Sequence, residues 1–130
     1  MDSVEKILAK DSTGMDTYEY LVNNELECLP HMDAVVENLK KVDKNGQFLA
    51  SSARFLHAVD AETFGPWIQR LIEGAIDKDR ERKYIGSLLE AIWGHDYRER
   101  REELEKSDDN FRRIYKRLFP FDTRPGLHGL

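Results

Sequence analysis

The stretch AIWGHDYRERRE, residues 91–102, contains the residue types best suited to chemistry, a histidine followed directly by an aspartate. Imidazole nitrogens and carboxylate oxygens are both ligands for catalytic divalent metals. With His57 upstream, His95 and Asp96 would supply three such ligands. A metal held this way activates a water molecule for nucleophilic attack. These three residues are therefore the candidate metal site of the chain.

The order of His57, the His95–Asp96 pair and a later aspartate at 108 or 109 is similar to the ligand order of the HD-domain metal phosphohydrolases, an all-helical family. That resemblance implies attack of a metal-bound water on phosphorus. The later aspartate follows sooner than in that family. The other interpretation is a helix boundary, in which Gly94 ends one helix and Asp96 caps the next. We favour the boundary, and we expect no catalytic residue and no cofactor.

The rest of the chain has little that predicts catalysis. The patterns HExxH, GxGxxG, GxSxG and the phosphate-binding loop are absent from the sequence. Carboxylates in residues 98–106 alternate with arginine and lysine, as on a solvated helix face. The single cysteine, Cys28, lies among leucines and is expected to pack in the core rather than to act as a nucleophile.

Composition and length favour one globular domain. The chain has 130 residues, of which 40% are hydrophobic and 35% charged, so it has enough apolar surface for a core. We predict a single all-helical domain over residues 1–120 and an irregular tail over residues 121–130. The lone thiol, the polar start of the chain and the lack of a membrane-length apolar run favour a cytoplasmic protein.

Apolar residues recur at helical spacing through nearly the whole chain. This pattern predicts an all-α fold, a compact bundle of six or seven short amphipathic helices. Asp16 or Thr17 is expected to cap the second helix and Ser107 the last one. Pro30 either kinks a helix or separates two. Residues 55–64 and 88–97 resemble each other loosely, so the alternative is a helical-repeat-like stack of helix pairs.

Charge is unevenly distributed in this acidic chain of net charge -5. Residues 111–130 carry five bases and one acid, and most of these bases lie in NFRRIYKRLF. Aromatic residues and arginine are enriched in protein interfaces. The residues predicted to bind a partner are therefore Trp67, Trp93, Tyr97, Arg112, Arg113, Lys116 and Arg117.

The leading hypothesis for function is a non-enzymatic protein–protein interaction module: an adaptor, a regulator or an immunity-type inhibitor. Its partner would be another protein or a second copy of the chain, and not a membrane. One alternative is a small metal-dependent phosphohydrolase that uses His57, His95 and Asp96. A third is nucleic-acid binding through the basic last helix, although an acidic body disfavours a broad nucleic-acid interface.

Overall fold

The computed structural model describes residues 3–122, and within that range all the regular structure is helical. The helices are α1 (Ser3–Lys10), α2 (Met15–Asn23), α3 (Glu25–Cys28), α4 (Met32–Val42), α5 (Gln47–Asp60), α6 (Gly65–Lys78), α7 (Gly86–Trp93), α8 (Arg101–Ser107) and α9 (Asp109–Leu118). The all-α prediction is confirmed. The predicted number is too low, because eight helices of this described part have seven or more residues. Most of the predicted tail, residues 123–130, lies outside the described residues.

The helices differ from the predicted ones at two places. The expected helix over residues 16–29 is divided at Asn24, whose backbone is not helical and whose side chain donates to the Tyr20 carbonyl at the end of α2. The charged segment before α9 forms α8, which packs through the buried Leu104. Pro30 lies in a 3-10 turn, Leu29–His31, so it separates two helices rather than kinking one.

The helices pack around one core. The most extensive contact is between α5 and α6, and α4 also packs against α6. α5 contacts α2 and α7 as well, and α7 contacts α9. The buried apolar residues form a single cluster that runs from α1 to α9. No helix among residues 3–122 has the length and apolar character needed to cross a membrane.

Three connections between helices share one construction, and we call them the Asp connections: residues 11–14, 43–46 and 79–82. Each begins with a buried aspartate, whose carboxylate accepts backbone N–H groups two to six residues further on, before or within the first turn of the following helix. The donors are Thr13, Gly14 and Thr17 to Asp11; Gly46, Phe48 and Leu49 to Asp43; and Lys83, Tyr84 and Ile85 to Asp79.

The first Asp connection corrects the predicted cap of α2. The helix begins at Met15, so Asp16 and Thr17 lie inside it, and the capping carboxylate comes from Asp11. Burial raises the pKa of Asp11, but hydrogen bonds from Thr17, Thr13 and Gly14 outweigh it and hold the pKa below its usual value. Asp11 is therefore charged at neutral pH, as a cap for several N–H groups requires.

Candidate anion-binding surface

The basic face of α9 results from the helical spacing of its bases and from the cap that sets where the helix begins. The side chain of Asp108, not that of Ser107, caps the helix by accepting the Phe111 N–H at 3.2 Å. From there the apolar residues point into the core, and Phe111, Ile114 and Tyr115 are buried. Because residues three and four apart share a helix face, Arg113, Lys116 and Arg117 lie together on the other side.

Two arginines of this face fix α9 against the end of α6. Arg113 forms an ion pair with Asp77 at 3.1 Å. Arg117 donates to the carbonyl oxygen of Ile76 at 2.6 Å. Carbonyls in the last turn of a helix have no partner within the helix, so this guanidinium supplies one and complements the helix dipole.

The third Asp connection lies beside the same part of α9. Arg82 adopts a positive φ of 59° and donates to the Arg117 carbonyl oxygen at 3.4 Å. Its neighbours in the chain include Lys78, at the end of α6, and Arg80. The tertiary structure therefore combines bases from two segments that are more than thirty residues apart in sequence.

We call the resulting surface the basic corner, made of Lys78, Arg80, Arg82, Arg113, Lys116 and Arg117. Arg80, Arg82 and Lys116 are exposed and the other three are half-buried. Within residues 3–122 only Arg113 of this set has an acidic partner within ion-pair distance. Nearby, Lys83 is paired with Glu81, which raises the pKa of Lys83. The basic corner is thus a local positive region on a chain of net charge -5.

Such a surface binds anions by charge-assisted hydrogen bonds. A guanidinium presents several N–H groups in a plane and matches a carboxylate or phosphate with two parallel bonds. Arg82 and Arg80 are the exposed guanidiniums here, and Lys116 adds a mobile ammonium. The two inward arginines, Arg113 and Arg117, hold the surface in place through their contacts with α6.

No protein-family model, curated protein or solved structure matches this chain. Its function is therefore inferred from the geometry of its own side chains.

The remaining residues predicted to bind a partner lie outside the basic corner. Trp67 is half-buried and donates to Asp33 of α4 at 3.0 Å. Trp93 is 9% exposed, packs edge-on against Phe111 and donates to Asp108 at 2.8 Å. Tyr97 is half-buried beside the rings of Phe111 and Tyr115, and Arg112 is paired with Asp109.

The candidate metal ligands are not grouped into a site in the described part of the chain. No set of three His, Cys, Asp or Glu side chains there is arranged to hold a metal ion. Asp96 instead pairs with Arg100 at 3.3 Å, and its backbone carbonyl accepts the N–H groups of Glu99 and Arg100. His95 is exposed, directly after the end of α7, and His57 is half-buried on α5.

Cys28 is expected to be unreactive in the folded protein. It is 1% exposed, and burial, with the charges of Glu27 and Glu25, raises the pKa of its thiol to about 11. Since the thiolate is the nucleophile, an aromatic disulfide reagent at neutral pH should modify Cys28 at least ~100-fold more slowly in the native protein than in denaturant. Labelling at equal rates in the two conditions would contradict the packing of α3.

Three bases of the basic corner are among the residues predicted from the sequence to bind a partner, and three are not. Arg113, Lys116 and Arg117 were predicted from their cluster on the last helix. Lys78, Arg80 and Arg82 lie in the segment DKDRER, in which acids and bases alternate. The sequence does not show that one of these acids, Asp79, is buried as a cap.

Proposed function

We propose that this protein is a non-enzymatic protein-binding module, an adaptor, regulator or immunity-type inhibitor, that engages an anionic surface of its partner at the basic corner. The observation that carries the proposal is the contact between two distant segments that together carry six bases, five of which have no acidic partner within the described residues. Charges left unpaired in this way remain available to a partner.

The hydrogen bonds that hold the backbone and helices of the basic corner in place suit a binding surface. Asp79 fixes the backbone of the connection through three hydrogen bonds, and Arg113 and Arg117 fix α9 to α6. A surface held in one conformation loses less entropy on binding than a flexible one.

A titration with a short poly-glutamate peptide at low ionic strength tests this proposal. Amide chemical-shift changes should concentrate in residues 78–83 and 113–117. A double variant with Arg80→Glu and Lys116→Glu should weaken peptide binding at least ~10-fold, because exposed like charges then replace the attractive ones. Neither side chain has a hydrogen bond or ion pair in the described structure, so the fold should be retained.

The matched control is a double variant with Lys6→Glu and Lys10→Glu, two exposed lysines of α1. It changes net charge by the same amount at a different place, and it should bind the peptide with an affinity close to that of the unmodified chain. Equal losses in the two double variants would show that net charge alone governs binding, and shift changes outside the basic corner would place the surface elsewhere. Either result would contradict the proposal.

A further inference from the structure

The three Asp connections have a left-handed residue at the same place, three residues after the aspartate. At the first two this residue is glycine, with φ of 100° at Gly14 and 85° at Gly46. At the third it is Arg82, with φ of 59°. Arg82 is the only residue other than glycine with a positive φ in residues 3–122.

The backbone at this position favours glycine. In the left-handed region the β-carbon of an L-residue crowds the following carbonyl, and only glycine avoids that contact. The first two connections follow this preference, so the third is the exception that needs a reason. A residue kept in an unfavourable backbone conformation commonly serves a function that the fold itself does not require.

The fold gains little from the side chain of Arg82. The side chain is exposed and has no acidic partner within residues 3–122. Its hydrogen bond to the Arg117 carbonyl, at 3.4 Å, is at the long limit for such a bond. The guanidinium is nevertheless placed in the basic corner, beside Arg117 on α9.

We infer that Arg82 is the residue of the basic corner that recognises the partner, and that it binds a carboxylate in an acidic segment of a protein. This inference rests on the proposed function and names its partner. Arg82 occupies a glycine position because its planar guanidinium, exposed on a backbone that Asp79 holds in place, gives two-pronged recognition of a carboxylate.

The surroundings favour a protein carboxylate over a nucleic acid. Exposed acids lie close to the basic corner in sequence and structure, with Asp77 paired to Arg113 and Glu81 next to Arg82. A nucleic-acid strand extends its charge along many phosphates, and Asp77 and Glu81 would repel part of it. A few carboxylates on a protein segment match the small positive area instead.

The test is the variant Arg82→Gly, measured for both thermal stability and affinity for the poly-glutamate peptide. Its Tm should rise by about 2 °C, because glycine removes the unfavourable left-handed β-carbon. Its affinity for the peptide should fall at least ~10-fold, because the exposed guanidinium is lost. A residue with a purely structural role would not produce these opposite changes.

Arg82→Lys is the matched variant, since it keeps the charge and the β-carbon but loses the planar fork. Its Tm should equal that of the unmodified chain, and its affinity should fall by less than that of Arg82→Gly. A lower Tm for Arg82→Gly, or an unchanged affinity, would overturn the role of Arg82 while leaving the proposed function intact. Absence of peptide binding by the unmodified chain would overturn the proposed function itself. Tighter binding of a single-stranded DNA oligonucleotide than of the peptide would overturn the inference that the partner is a protein.

Discussion

Phe111→Ala is expected to lower the free energy of unfolding by about 3–5 kcal/mol, a large part of the stability of a domain this size. Phe111 is fully buried where α9 meets α7. The centroid of its ring lies 5.3 Å from the ring centroid of Trp93 and 5.6 Å from that of Tyr115. Alanine would leave a cavity lined by large aromatic rings, which cannot collapse into it without moving α9. Denaturant unfolding followed by circular dichroism measures the loss.

Phe121→Ala is the control for this prediction, because it removes the same side chain where 93% of it is exposed. Its effect on stability should be within about 0.5 kcal/mol. The comparison separates loss of packing from loss of an apolar side chain as such. A Phe111→Ala variant as stable as Phe121→Ala would show that α9 does not pack on α7 as described, and it would remove the support of the basic corner.

Asp43→Ala is expected to cost about 2–4 kcal/mol, the second large effect. The carboxylate is buried and accepts the N–H groups of Gly46 at 3.2 Å, Phe48 at 2.9 Å and Leu49 at 2.8 Å. Alanine would leave these donors without their partner at the start of α5, the helix that packs most extensively on α6. A thermal melt should show a fall of several degrees or more.

The matched control is Asp60→Ala, at an exposed aspartate whose carboxylate accepts the N–H of Thr63 at 3.0 Å. Because water can replace that bond, its loss should be no more than about 1 kcal/mol. If the two variants were equally stable, the buried carboxylate would not be an essential part of the connection. That result would also weaken the comparison of the three Asp connections on which the role of Arg82 depends.

Local sequence signals account for much of the fold. Apolar residues at helical spacing predicted the amphipathic helices correctly from α4 to α7 and at α9, because each of these helices buries one continuous stripe. Boundaries were predicted less well. The break at Asn24 was missed, because apolar residues continue at helical spacing on both sides of it. The helix after His95 was expected to begin at Asp96, but α8 begins at Arg101, because a helix with one buried leucine gives almost no periodic signal.

The Asp connections show where a local signal existed and was incomplete. An aspartate followed by glycine three residues later occurs at Asp11 and Asp43, and it would have indicated two caps of the same kind. Three residues after Asp79 the chain has arginine instead of glycine, so the pattern fails at the position where we infer a function. Only the backbone angles show that Arg82 belongs to the same series.

The sequence by itself determined that this chain is helical, that its last helix has a basic face, and that its single cysteine packs among apolar residues. Each of these properties depends on residues close together in the chain. The tertiary structure decided that Lys78, Arg80 and Arg82 join that basic face, and that the indoles of Trp67 and Trp93 bond to Asp33 and Asp108. Such pairings depend on how distant helices dock, and docking is set by the shared core rather than by any local pattern of charge.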